Sequence, residues 1–224
     1  MRICLVTSSF PRFPGDWAGG FIYDLALHLS KNGLQVIVLA PHAPGLPTCE
    51  DLDTLRVCRF RYFAPARYQR LAYGSGISTN IRRSFLARMQ LLPFVWAQWT
   101  ALGRIIEHEE IDLINSHWLA VQGLTGALAH RKYNIPHVCT VHAAGIHALS
   151  RLPFKQKVGD FIARHTDHFF VVSSFIGKHL QALLSAPGRS TTLPMGVDTS
   201  LFTVRSKDQA RQKQMGLSDG PVLL

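Results

Sequence analysis

The sequence predicts a doubly wound parallel α/β sheet with helices on both faces. Short apolar runs recur along the chain, at Arg2 to Thr7, Gln35 to Ala40, Asp112 to Ser116, His137 to His142 and His168 to Ser173. They are continuous rather than alternating, the pattern of strands buried on both faces. Between them lie stretches with apolar residues at helical spacing, and strands that alternate with helices build parallel sheets through crossover connections.

The elements follow in order. Ser8 to Gly20 is a loop carrying Pro11, Pro14 and three glycines. Phe21 to Lys31 places Phe21, Ile22, Leu25, Ala26 and Leu29 on one helical face, and Gly33 marks its C-terminal stop. Leu55 to Phe63 is a third, more polar strand. Ile81 to Glu107 reads as one long helix or two broken at Pro93. Helices follow at Ala120 to Arg131, Lys155 to Arg164 and Phe175 to Leu184, and Thr191 to Met195 is a last short strand. After Phe202 the texture turns polar, and Pro221 to Leu224 opens a new apolar run. The expected organisation is therefore a domain over 1–203, then 204–224 as a linker and the first strand of a second domain; a C-terminal strand tucked onto a sheet edge is the alternative.

The chain has 224 residues, 47% of them hydrophobic and 17% charged, which argues for a packed core and against disorder. A formal net charge of +10 points to anionic partners such as phosphates, nucleic acid or an acidic membrane face. None of Cys4, Cys49, Cys58 and Cys139 sits in a CxxC pair or at metal-ligand spacing; Cys4 and Cys139 lie in apolar runs, as reduced thiols of a cytoplasmic protein would. The N-terminal apolar run is too short for a signal peptide, and no stretch reaches the roughly 18 apolar residues of a spanning helix.

An open parallel sheet binds ligands beyond the carboxyl ends of its strands. Gly19 and Gly20 follow the first strand, just before a helix whose free N–H groups suit an anion. His117 and Trp118 follow the fourth predicted strand, and His142, Ala143, Ala144, Gly145 and His147 follow the fifth. Ser173 and Ser174 come after the sixth, and Gly196 and Asp198 close the rim. A zinc site would have to use His117, His142 and His147, but no carboxylate or cysteine stands at ligand spacing with them, so no metal is expected.

These rim residues carry a family resemblance. The order PGDWAGGFIYDLALHLSKNGLQVIVLAP, INSHWLAVQGLTGALA, IPHVCTVHAAG, DHFFVVSSFIGKHL and LPMGVDTSLF resembles the N-terminal domain of family 4 glycosyltransferases, which have the GT-B fold. The resemblance spans about residues 1 to 203. It implies a Rossmann-like acceptor-side domain and a retaining transfer from a nucleotide-sugar, without a cofactor, to a glycan or lipid-linked acceptor. Gly19, Gly20 and Gly196 would then lie near the donor, and His117, Trp118, Ser173 and Asp198 on the acceptor-side rim. His142 would reach the donor sugar and stabilise charge at the reaction centre. Many members carry His-Gly-x-Asp where this chain has His142-Ala143-Ala144-Gly145, which leaves one sugar contact unassigned. The resemblance also implies that the donor's diphosphate is held by a second domain, so that the chain alone turns over little. A non-catalytic module, or a subunit whose donor-binding partner is a separate chain, is the alternative.

No acidic residue occurs between Asp53 and Glu107, a segment rich in arginine and aromatic residues. Along it Phe85, Met89, Leu92, Trp96, Trp99 and Ile106 recur at helical spacing. They form a core helix with a solvated basic face or, with Arg82, Arg83 and Arg88, a patch for the inner face of an anionic membrane. No RNA-binding motif accompanies the patch, and nucleic acid is not an expected partner.

Overall fold

The computed structural model describes residues 1–186, 188–200, 202–203 and 209–217. Pro221 to Leu224, and 204–208 and 218–220 of the predicted linker, lie outside the described residues. Eight strands form one sheet: β1 (Arg2–Val6), β2 (Gln35–Pro41), β3 (Cys49–Leu52), β4 (Leu55–Phe60), β5 (Leu113–His117), β6 (His137–Val141), β7 (His168–Val171) and β8 (Ser190–Thr192). Their order is β3-β4-β2-β1-β5-β6-β7-β8, and every pairing is parallel except β3 with β4.

The central strands show why their sequences are apolar throughout. Ile3 and Leu5 of β1 pack with Ile22 and Ala26 of helix α1 (Gly20–Lys31), while Cys4 and Val6 pack with Phe94 and Leu102 of α4 (Leu91–His108). Successive side chains of a strand point to opposite faces, so in β1 and β2, covered on both sides, apolar residues run on without alternation. Gly33, at φ 84°, ends α1 where the sequence places the stop. The other half of the sheet is covered by α5 (Val121–Tyr133), α6 (Ala143–Ser150), α7 (Lys155–Arg164) and α8 (Ser174–Leu183), with Leu119, Val141, Ile162 and Phe169 in its core. The helix α9 (Gln209–Gln214) lies within the stretch read as a linker or surface helix.

One expectation is corrected, and two elements are added. The segment over 81–107 is three helices, α2 (Ile77–Arg83), α3 (Phe85–Met89) and α4, divided at Ser84 and Gln90 rather than at Pro93. Pro93 sits in the first turn of α4, where the backbone N–H has no intrahelical partner to lose. The antiparallel edge strand β3 is missing from the sequence reading because Cys49-Glu50-Asp51-Leu52 exposes or half-exposes every residue and shows no apolar run. The helix α6, which begins directly after His142, fills a stretch to which the sequence assigned no element.

Trp99 also leaves the predicted membrane patch. It is partly buried against the core, 6.4 Å from the Tyr133 ring centroid and 5.7 Å from Lys132 Nζ, because the end of α5 covers it. The basic run is likewise not all free charge. Arg59 is 3% exposed and bonds Glu50 at 2.8 Å, while Arg56 bonds Glu109 at 2.5 Å.

Candidate functional site

Chain order reverses between β1 and β5: β1 leads outward to β2 and β4 on one side, and β5 to β6, β7 and β8 on the other. At such a switch point the loops after the two strands diverge and leave a crevice. A cleft of about 670 Å³ opens there, lined by Ser8, Ser9, Gly19 and Phe21 after β1, by Trp118 and Gln122 after β5, and by Gly145 of α6.

The two glycines of the first loop have different reasons. Gly19 takes φ 71°, and a Cβ there would stand 2.3 Å from the Ser9 carbonyl oxygen, so it closes the loop against itself. Gly20 has nothing within 4 Å of where its Cβ would be, which leaves open space beside the first turn of α1. Gly145 is a third such position. Its Cβ would stand 2.5 Å from the Leu119 backbone nitrogen, so a glycine is what lets α6 approach the Trp118–Leu119 backbone.

His117 Nδ1 and His142 Nε2 lie 3.3 Å apart and share a hydrogen bond. His117 is fully buried; burial first, and His142 second, push its pKa down to about 3. Burial pushes His142 down to about 4. Both rings are therefore neutral near pH 7 and supply one donor and one acceptor each. His142 is walled by Phe21 at 5.3 Å and Trp118 at 5.2 Å between ring centroids. Trp118 holds φ 71°, a conformation uncommon for a bulky residue, and its N–H donates to Thr140 O at 3.0 Å. His117 Nε2 and Gln122 Nε2 are buried without a hydrogen-bond partner; of the two, Gln122 lines the cleft, whose wall so holds unspent polar capacity.

The opposite wall comes from residues that the sequence reading did not single out. Arg12 and Asp16 form a two-pronged ion pair at 2.7 and 3.2 Å, with the guanidinium 4.7 Å from the Tyr73 ring centroid. The hydrogen bond from Arg12 lowers Asp16 to about 2. Their signal in the sequence is only an arginine four residues before an acid in a proline-bounded loop.

The other predicted rim residues are placed differently. Ser173 caps α8 by accepting from the Ile176 N–H at 3.3 Å. Gly196 and Asp198 follow β8, three strands from β5, and do not line the cleft; Asp198 accepts from the Ser200 N–H at 2.9 Å. His147 is exposed on α6. Among the described residues, no three His, Cys, Asp or Glu side chains are grouped to hold a metal ion.

This sheet order and cleft define a class, the Rossmann-like half of a GT-B glycosyltransferase fold. A sucrose-phosphate synthase from Thermosynechococcus elongatus superposes with a TM-score of 0.67 at 18% identity, over 98% of this chain and 54% of its own. The Anabaena protein HepE, solved with UDP and glucose, superposes with a TM-score of 0.54 at 14% identity, over 96% and 50%. The chain belongs to Glycosyltransferase Family 4, whose sequence model matches residues 18–201. A D-inositol 3-phosphate glycosyltransferase from Catenulispora acidiphila is 29% identical over 237 residues, 99% of this chain and 51% of that protein. The chain thus spans about half the length of these proteins.

Proposed function

We propose that this chain forms the acceptor-side wall of a retaining glycosyltransferase that moves a sugar from a nucleotide-sugar to a glycan or lipid-linked hydroxyl group, as in polysaccharide assembly. The observation that carries this reading is the neutral His117–His142 pair, with His142 packed against Phe21 and Trp118, which line the switch-point cleft. In the transfer the bond from the anomeric carbon to the diphosphate breaks, a bond to the acceptor oxygen forms, and the acceptor's proton leaves with the phosphate. Positive charge that develops on the sugar is stabilised by neutral hydrogen-bonding groups already held in place. His142, fixed by His117, Phe21 and Trp118, is such a group. The HepE complex with UDP and glucose supports a nucleotide-sugar as the donor class.

The donor's diphosphate is assigned to a second domain facing this cleft, and the chain alone is expected to turn over little. The test is a nucleoside diphosphate release assay over UDP- and GDP-sugars, with and without an added donor-binding domain. Steady release by the chain alone would sink the dependence on a second domain. No release by the completed assembly with any donor would sink the transferase reading.

A membrane contact is the second part of the proposal, and an exposed stripe supports it. Phe85, Met89, Leu92 and Trp96 are 74%, 58%, 79% and 68% exposed, with Arg82, Arg83 and Arg88 beside them. Arg88 also caps α2, donating to Ile81 O at 2.7 Å and Arg82 O at 3.2 Å. Apolar side chains next to arginines fit the boundary between acyl chains and anionic headgroups. Among the described residues, no helix is long and apolar enough to cross a membrane. Sedimentation with vesicles of graded anionic lipid content tests the contact; absence of binding at low salt would discard it.

A further inference from the structure

The edge hairpin carries two thiols for which the transfer chemistry has no use. β3 and β4 are joined by Asp53 and Thr54, and their register sets Cys49 opposite Cys58. The Arg59 N–H donates to Thr48 O at 2.7 Å, so the ladder bonds lie outside this pair and Cys49 and Cys58 occupy a non-hydrogen-bonded position. Facing Cα atoms at such positions are about 4.5 Å apart, and disulfides span Cα separations of about 4.4–6.8 Å. The two sulfurs are 3.0 Å apart. Covalent closure therefore needs only side-chain adjustment.

Access separates this pair from the other thiols. Cys49 is exposed and Cys58 half-buried, whereas Cys4 and Cys139 are buried in the core. The Arg56 guanidinium, held by Glu109, also contacts Cys49 and puts a positive charge beside the reachable sulfur.

The hairpin also touches the loop that forms one wall of the cleft. Asp53, at its tip, accepts a hydrogen bond from the Tyr23 hydroxyl of α1. Arg59, next to Cys58, donates to Pro11 O at 2.7 Å and to the Tyr73 hydroxyl at 3.3 Å. When the edge strand β3 frays at the open end of the hairpin, Arg59 stays paired with Ala40 of β2 but loses the Thr48 carbonyl and the Glu50 carboxylate that hold it.

We propose that Cys49 and Cys58 are a reversible dithiol–disulfide pair, oxidised by a small disulfide of the glutathione class, which staples the edge hairpin and so stiffens the Pro11–Gly20 loop. Cys49 as thiolate attacks one sulfur of the oxidant, forming a mixed disulfide and releasing one thiolate. Cys58 loses its proton to solvent and attacks the Cys49 sulfur, releasing the second. The protein loses two hydrogens, and the oxidant becomes two thiols. Burial raises the Cys58 thiol, so the second exchange is the slower one.

The full chain is equilibrated in buffers of graded oxidised-to-reduced glutathione, trapped with acid and an alkylating agent, and mapped without reduction. The expected product is an intramolecular Cys49–Cys58 link, with Cys4 and Cys139 alkylated only after unfolding. The oxidised form is expected to melt about 5 °C higher, with slower amide exchange over Trp17–Phe21, and both changes reverse with dithiothreitol. Cys49→Ser leaves Cys58 unlinked, and Cys58→Ser stops at a glutathione adduct on Cys49. A stable Cys49 adduct in the unsubstituted chain, a link between two chains, or no oxidation overturns the pair. An oxidised form that melts and exchanges like the reduced one overturns the staple.

Discussion

The cleft between β1 and β5 and the stripe on α3 and α4 both present aromatic side chains at the surface, in opposite ways. At the cleft, the lining residues Phe21 and Trp118 pack on His142, all three within 6.1 Å of one another by ring centroid, and His142 is tied to a fully buried histidine. On the stripe, Phe85, Leu92 and Trp96 stand mostly in solvent with arginines at their sides. The cleft is an outward extension of the interior, so its chemistry depends on packing beneath it. The stripe is a face laid on a finished helix layer, so its chemistry depends on what it meets. A change in the cleft should therefore cost stability and function together, and a change on the stripe should cost binding alone.

The largest expected effect is that of pH. His117 and His137 are buried, with pKa values lowered to about 3 and about 4, whereas an unfolded histidine titrates near 6.5. Below 6.5 the unfolded chain takes up protons that the folded chain refuses. The stability present above that pH is lost as pH falls through the folded values. Between pH 7 and pH 5 the two together are expected to cost about 4 kcal/mol, read as a falling urea midpoint. Replacing Arg82 and Arg83 by glutamine should leave that slope as it is; a flat profile in the unsubstituted chain would remove the distinction.

Gly145→Ala comes next. Its methyl group would meet the Leu119 backbone nitrogen at 2.5 Å, and overpacking of this kind costs about 3 kcal/mol. A thermal melt should show the midpoint lowered by roughly 9 °C. An unchanged melt would mean that α6 shifts freely and that the cleft is not anchored to the interior.

With a donor-binding domain supplied, His142→Ala is expected to lower turnover about 100-fold. Turnover of soluble acceptors by Trp96→Ser should stay at the original rate, which separates a role at the reaction centre from one at a surface. The smallest stability effect belongs to Trp96→Ser itself, within about 0.5 kcal/mol by denaturant titration. Its affinity for anionic vesicles should nevertheless drop about tenfold, the share of one buried aromatic side chain. A large loss of stability with no change in vesicle binding would make Trp96 a packing residue.

The same division explains what could be read from sequence. The doubly wound sheet was legible because β1, β2, β5 and β6 are covered on both faces, which forces continuous apolar runs. The strand-end positions of His117 and His142 followed from that order, without a distance between them. The edge strand β3 was hidden because one exposed side removes the apolar signal. Pro93 misled because a helix breaker is harmless in a first turn, and only the true start of α4 shows which turn that is. Trp99 and Trp96 differ by three residues in one helix, yet α5 covers one and not the other, a fact of tertiary packing. Arg12, Asp16 and Tyr73 meet across a loop of distant residues, and no local period records such a meeting.

The place of β5 in the sheet also bears on how the molecule is made. β1 pairs with β2 at Ile3↔Val36, but its other edge waits for Ile3↔Leu113. As the chain leaves the ribosome, one side of β1 stays unpaired until more than a hundred further residues have been synthesised. The first loop can close on Ser9 early, whereas the wall bearing His117, Trp118 and His142 can arrive only afterwards. Assembly of the crevice is thus a late folding step, and a pause or cut in the Ser84–Gln90 stretch would leave an open strand edge as a template for aggregation.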